Sequence, residues 1–169
     1  MEELDLLSLR KILHQNAELS DKEENTAKII HNSLEKLNPD RIITEIGGNG
    51  IAAVFNDKSD GKTVVLRAEL DALPIPEVND FEYRSKTDGV GHKCGHDGHM
   101  TILLGAAQKI LKEYKKLPGR LVILFQPAEE TAQGARRVLA DKKFTDLKPD
   151  YMFALHNLPG FEKGSVVLR

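Results

Sequence analysis

The sequence predicts an α/β fold, a mixed and largely parallel sheet with helices on both faces. Three features carry that prediction. Residues 63–66 and 121–125 are continuous apolar runs, the pattern of strands buried on both faces, and residues 151–155 form a third apolar run. Helical periodicity separates these runs, so the order is strand, helix, strand, helix, strand. Polar residues appear abruptly where each run ends, at Arg67, Glu69 and Asp71, at Gln126, Glu129 and Glu130, and at His156 and Asn157. Open α/β sheets place their ligands at such strand ends.

Taken in order, the first helix is expected over residues 4–13. Leu6, Leu9 and Leu13 share one face there, and Arg10 and Lys11 fall on the other. Ser20-Asp21-Lys22-Glu23 reads as a capping box, in which the Ser20 hydroxyl caps a free backbone N–H and Glu23 reaches back. The next helix carries Ala27, Ile30, Leu34 and Leu37 on one stripe and stops at Asn38-Pro39. Residues 41–46 and 51–55 are β-rich and joined by Gly47-Gly48-Asn49-Gly50, which predicts an antiparallel hairpin. Residues 75–90 lack periodicity and read as a long loop, of the kind that is usually functional or disordered. Met100, Leu103, Leu104, Ala107, Leu111 and Tyr114 mark a helix closed by Pro118-Gly119. A short helix is expected over residues 134–139 and a further strand over 164–168. The chain stops inside that last strand pattern, so it reads as a piece of something longer.

With 169 residues the chain is long enough for one domain with its own core. A net charge of -2 gives no electrostatic footprint for nucleic acid or an anionic membrane. No apolar run approaches the length of about 20 residues that a membrane span needs. The acidic start, Met1-Glu2-Glu3, does not fit a signal peptide. A single cysteine forms no internal disulfide, which fits a cytoplasmic location.

That cysteine lies in Gly91-His92-Lys93-Cys94-Gly95-His96-Asp97-Gly98-His99, with half of the chain's 6 histidines. The glycines between the polar groups predict a tight loop. Cys94 and His96 form Cys-x-His, whose thiolate and imidazole suit zinc and its first-row neighbours. His92 and His99 read either as hydrogen-bonding support or as solvated side chains. Glu129 and Glu130 follow a buried strand, and Pro127 forces an extended or turned backbone before them. One carboxylate can then bind metal while its neighbour reaches a water, the division of labour of a metallohydrolase. His156 stands at the end of the third run. Asp71 stands at the end of the first, placed either to bind metal or to accept a hydrogen bond from a liganding imidazole and fix its tautomer. Arg67 and Glu69 beside it read as an ion pair.

Together these motifs resemble the amidohydrolase branch of the dinuclear-metal M20 peptidase family, which includes aminoacylases, hippurate hydrolases, N-acetyldiaminopimelate deacetylases and auxin-conjugate hydrolases. The matching pieces are residues 14–20, 67–74, 94–99 and 125–130 with Gly134-Ala135, then residues 155–157 with Pro159 and Gly164, in family order. The resemblance implies a zinc-exopeptidase-like catalytic domain of three layers. It implies that Cys94 bridges two divalent ions (zinc, manganese, nickel or cobalt), with His96, Glu130 and His156 as terminal ligands. It makes Glu129 the general base and Asp71 an orienting group. The implied reaction is hydrolysis of an N-acyl amino acid or a related amide. Glu69 stands where the family usually has aspartate, so an extra methylene alters that strand end, and Ala17 stands where it usually has proline, which is expected to matter little. The third departure is length. Family members carry a lid or dimerisation domain and a last catalytic segment that supplies one more histidine ligand, so residues 1–169 correspond to the N-terminal part only. Partial metal occupancy, no turnover by this chain alone and possible homo-oligomers through an open sheet edge are the expectations. The competing expectation is a non-catalytic metal-binding or interaction module. A thiol-redox role for Cys94 lacks a resolving cysteine.

Overall fold

The computed structural model describes residues 2–114 and 116–167. The sheet has five strands: β1 (Arg41–Ile46), β2 (Gly50–Phe55), β3 (Thr63–Glu69), β4 (Arg120–Gln126) and β5 (Tyr151–Ala154). Their spatial order is β1-β2-β4-β3-β5. β3 pairs in parallel with both β4 and β5, while β2 runs antiparallel to β1 and β4. The sheet is therefore mixed, with a parallel half whose three C-terminal ends lie side by side.

Strand alternation explains the three layers. Side chains two apart share a face. Ile51, Ala53 and Phe55 of β2 and Leu121, Ile123 and Phe125 of β4 pack in one cluster with Leu9 and Leu13, Ile30 and Leu34, and Met100, Leu103, Leu104 and Ala107. Those last residues come from α1 (Leu6–Gln15), α2 (Glu24–Glu35) and α3 (His96–Glu113). The alternate residues Ala52, Val54, Val122 and Leu124 pack on the opposite face with Val138, Phe144 and Leu147. That face is covered by α4 (Gly134–Ala140) and α5 (Lys142–Thr145). Both faces of β2 and β4 are dry, which is why their sequences are apolar without a break.

The hairpin, the long segment 75–90 without regular structure and the strand-end positions agree with the sequence reading. Four features differ. The histidine-rich stretch is only partly loop: α3 starts at His96, so His96 and His99 ride on its first turn, with Gly95 as the cap at φ 96°. Helix periodicity beginning at Met100 hid that turn, because its polar residues face the site. The helix α5 had no sequence signal. Residues 164–167 form no strand, and Leu168 lies outside the described residues.

The fourth difference is the capping box, which does not form. α2 begins at Glu24, and its free N–H groups at Asn25 and Thr26 donate to the carboxylate of Glu18 at 3.2 and 2.7 Å. The Ser20 hydroxyl donates instead to Asp71 Oδ2 at 2.7 Å. Glu23 is buried and accepts from the Ala128 backbone N–H at 2.8 Å and from Asn49 Nδ2 at 2.9 Å. Both residues of the expected box thus turn away from the helix and toward the strand ends.

This exchange of partners is testable by chemical denaturation and amide exchange. Glu18→Ala should cost about 1 kcal/mol, the usual worth of a helix cap, and should speed exchange at Asn25 and Thr26. Ser20→Ala should leave exchange at those two amides unchanged. Faster exchange there in Ser20→Ala would restore the capping box.

Candidate metal centre

The strand ends and the first turn of α3 bring the ligand-type residues together. Cys94, His96 and His156 offer ligand atoms all within 4.8 Å of one another, as do His96, Glu129 and Glu130. His96 belongs to both sets and is fully buried. Its Nδ1 donates to the Asp71 carbonyl at 2.8 Å, and the Asp71 carboxylate is 3.5 Å away. The remaining nitrogen, Nε2, is the free position of the neutral ring; burial works to lower the pKa of the imidazole, but Asp71 and Glu69 prevail and raise it, so a positive charge is favoured there. Nε2 is buried with no hydrogen-bond partner, 3.6 Å from Glu129 Oε2 and 3.7 Å from Glu130 Oε1. Glu130 Oε1 is likewise buried and unpartnered. Cys94 Sγ and His156 Nε2 lie 3.3 Å apart, within the same cluster as His96. His156 donates from Nδ1 to the carbonyl of Asn157 at 2.8 Å, which aims Nε2 at the thiol.

Buried acceptors with nothing to accept are costly, and crowded acceptors more so. Here a thiol, two imidazole nitrogens and two carboxylates converge. That donor set fits a borderline divalent metal, and the orphaned His96 Nε2 and Glu130 Oε1 are the atoms such an ion would satisfy.

The backbone explains how adjacent glutamates reach different places. Ala128 adopts φ 47°, a left-handed turn straight after β4. Its amide is held by Glu23, and its carbonyl accepts from the Gly134 N–H at 2.9 Å. A Cβ on Gly134 would lie 1.6 Å from the Pro127 carbonyl, so only glycine closes this turn. Beyond it the two side chains diverge. Glu129 is 35% exposed, whereas Glu130 is 16% exposed and its N–H donates to Asp71 Oδ2 at 3.0 Å.

The charges shift accordingly. Burial works to raise the Asp71 carboxyl, but hydrogen bonds from His96, Ser20 and the amides of Glu130 and Glu129 prevail and hold it at about 2. Burial and then Glu130 push the Cys94 thiol up to about 11. Without a cation Cys94 is a thiol, because the surrounding carboxylates oppose a further negative charge.

Of the two weaker histidines, neither is solvated. His99 is buried, with Nδ1 2.9 Å from Glu69 Oε2 and Nε2 2.6 Å from Asn157 Oδ1. Arg67 pairs with Glu69, as the sequence reading expected. Glu69, His96 and His99 also lie close enough to hold an ion, but the Glu69 and His99 atoms are spent on each other. His92 is buried with neither nitrogen partnered, and burial pushes it down to about 4.

Sequence reasoning gives His14, Ser20 and Glu23 no role at the site, although residues 14–20 are among the pieces that carry the family resemblance and Ser20 and Glu23 read as a helix cap. His14 Nδ1 lies 2.9 Å from Asp97 Oδ2 and Nε2 2.8 Å from Glu77 Oε2, tying segment 75–90 to the first turn of α3. Its hydrogen bond to Asp97 raises it above the usual histidine range against the opposing effect of burial, with Glu77 adding to the rise. No local spacing announces these three residues, since their partners are distant in sequence. The signal that could have found His14 and Ser20 was the family resemblance of residues 14–20, which marks that stretch without saying what its side chains touch.

The thiol gives a direct check. Metal-free protein should be alkylated at Cys94 slowly at neutral pH, with a rate that climbs toward a midpoint of about 11, against an ordinary value of 9.0. The sign follows from thiolate being the nucleophile: a raised value leaves about a thousandth of the thiol ionised at pH 8. Added zinc should protect it further. A midpoint near the ordinary value would contradict the carboxylate-lined setting.

Comparison with known proteins agrees with this geometry. The model of peptidase family M20/M25/M40 matches residues 65–169. A hippurate hydrolase of Campylobacter jejuni is 38% identical over 89% of this chain and 39% of its own length. An N-acetyl-L-cysteine deacetylase of Bacillus subtilis is 37% identical over 99% of this chain and 39% of its own. A crystal structure from Bacillus subtilis, described as a dinuclear metal binding peptidase from the M20 family, superimposes with a TM-score of 0.82 at 36% identity, covering 92% of this chain and 43% of that one. The chain thus spans between 39% and 44% of the length of the curated relatives it first matches. With a family model matching residues 65–169, well over half of the chain, the chain belongs to peptidase family M20/M25/M40.

Proposed function

We propose that this chain is the N-terminal part of the catalytic domain of a metal-dependent amidohydrolase that cleaves N-acyl amino acids or related conjugates. The observation that carries the reading is the buried, unpartnered Nε2 of His96, beside Glu129 and Glu130, on a ring that is also grouped with Cys94 and His156. Relatives named for hippurate and N-acetyl-L-cysteine, both N-acyl amino acids, support the substrate class.

In this reading Cys94 is shared between two ions. His96 and His156 complete the protein ligands of one, and Glu130 serves the other, which takes a further histidine from a segment beyond this chain. Zinc, manganese, nickel and cobalt all suit the donors, and this chain alone holds the pair only in part. Such ions supply an acidified water and polarise the amide carbonyl. Glu129, the more open of the two glutamates, takes the proton of the attacking water and returns it to the leaving amine. Asp71 holds its place by ordering three neighbours at once: the His96 ring, the Ser20 hydroxyl and the Glu130 amide. No helix among the described residues is long and apolar enough to cross a membrane. We place the protein in the cytoplasm, acting on a small molecule. The exposed β5 gives a truncated sheet an edge for self-association.

Elemental mass spectrometry of the purified chain tests the ligand set. About one equivalent of divalent metal is expected, lost in Cys94→Ala; metal that persists without Cys94 would refute the shared thiolate. In a chain extended to the relatives' length, Glu129→Gln should keep its metal while hydrolysis of an N-acyl amino acid drops by about 100-fold or more. Unchanged hydrolysis in that variant would remove Glu129 from its role.

A further inference from the structure

His156 is the weakest-held of the four ligand-type residues. Every residue of β5 is exposed, and so are Leu155, His156 and Asn157 after it. Packing does not fix this ring, whereas the core fixes His96. A ligand on so open a segment needs some other support, and the structure supplies a chain of polar contacts running from β3 through α3.

We propose that Glu69 and His99 are positioning residues that hold Asn157, and through it the imidazole of His156, in its ligating orientation. The inference rests on the metal-binding reading above and extends it to residues that touch neither ion. The chain begins at Arg67, which pairs with Glu69 and donates from Nε to Gln126 Oε1 at 3.0 Å. Glu69 is fully buried, a costly place for a carboxylate unless it is paired. It accepts from His99 Nδ1 at 2.9 Å. With Nδ1 donating, His99 Nε2 is an acceptor: it takes the Asn157 backbone N–H at 3.3 Å and lies 2.6 Å from the terminal group of the Asn157 amide, which donates to it when the amide is turned with its NH2 toward the ring. The carbonyl of the same Asn157 takes the His156 Nδ1–H at 2.8 Å, which leaves Nε2 as the free nitrogen facing Cys94. The His99 ring also stands edge-on to the His156 ring, with centroids 4.7 Å apart.

Gly95 completes the arrangement. A Cβ there would lie 2.8 Å from Asn157 Oδ1, so the absent side chain is what lets Asn157 sit over the start of α3. The position between Cys94 and His96 is thus open for Asn157, which has no ligand role of its own. Partners of this kind fix the tautomer and direction of a ligating imidazole, and their loss typically weakens metal binding by about 10- to 100-fold.

Cobalt(II) titration of the chain, followed by absorbance, tests the proposal. Wild type should show a near-ultraviolet thiolate-to-cobalt band from Cys94 and visible bands that report the coordination around the ion. Asn157→Ala changes an exposed residue, and far-ultraviolet circular dichroism verifies that it folds; His99→Ala is its buried counterpart. Both should keep the thiolate band, bind cobalt about 10- to 100-fold more weakly and show altered visible bands, matching His156→Ala in direction. His99→Gln, whose amide can still bridge Glu69 and Asn157, should recover part of the loss. A purely structural role would not alter the visible bands of the protein that still binds. If Asn157→Ala and His99→Ala titrate like wild type while His156→Ala does not, the proposal is wrong and the metal reading stands. If His99→Ala abolishes binding and Asn157→Ala is silent, His99 is itself a ligand and the proposal again fails. Absence of any thiolate band in wild type would overturn the metal reading, and this proposal with it.

Discussion

The hydrogen bond from His96 Nδ1 to the Asp71 carbonyl organises the rest of the site. It joins the first turn of α3 to the end of β3 in the interior of the protein. It also decides which imidazole nitrogen is free, and every candidate ligand set in the described residues uses that ring. The parallel pairing of β3 with β4 and β5 then brings the other groups to the same place, since parallel strands end on the same side. The sheet supplies proximity, and this one bond supplies direction.

Charge is the second constraint. Glu69, Asp71 and Asp97 are buried, and Glu129 and Glu130 stand beside them. Each buried carboxylate has its own counterpart: Arg67 and His99 for Glu69, His96 and Ser20 for Asp71, His14 and Arg10 for Asp97. Glu130 has no such counterpart, and its Oε1 is buried without a partner. Asp71 Oδ1 and Asp97 Oδ1 are unpartnered too, but each of those carboxylates is held through its other oxygen. A buried carboxylate oxygen with no partner, 3.7 Å from His96 Nε2, is what sets the centre apart, and it suits a cation.

Much of this was legible in the sequence, because strand ends and ligand chemistry are local. The apolar runs ending in Asp71, Glu129-Glu130 and His156 could be read one at a time, and the order of strands and helices followed from periodicity. What could not be read were contacts between residues far apart. Ser20 and Glu23 have the spacing of a capping box, and local pattern favours that reading; tertiary contacts to Asp71 and Ala128 prevailed, and Glu18 took over the helix. His99 looked as ready for solvent as for support until α3 was seen to begin at His96, which turns it inward. The strand expected over residues 164–168 rested on β-branched residues alone, and residues 164–167 have no sheet neighbour to pair with.

The bond between Glu23 and the Ala128 amide spans 105 residues, and Ser20 reaches Asp71 across 51. Neither N-terminal residue is a ligand, yet both clamp the turns that present one. Contacts so distant along the chain close late in folding, because the intervening loop entropy must be overcome first. The native shape of the carboxylate turn therefore depends on Glu23, at the start of α2, being in place against it. Unlike a short metal finger, whose ion can template a nearby loop, this centre is a product of the finished fold. Newly synthesised chain carries all its visible donors well before it has anywhere to hold an ion.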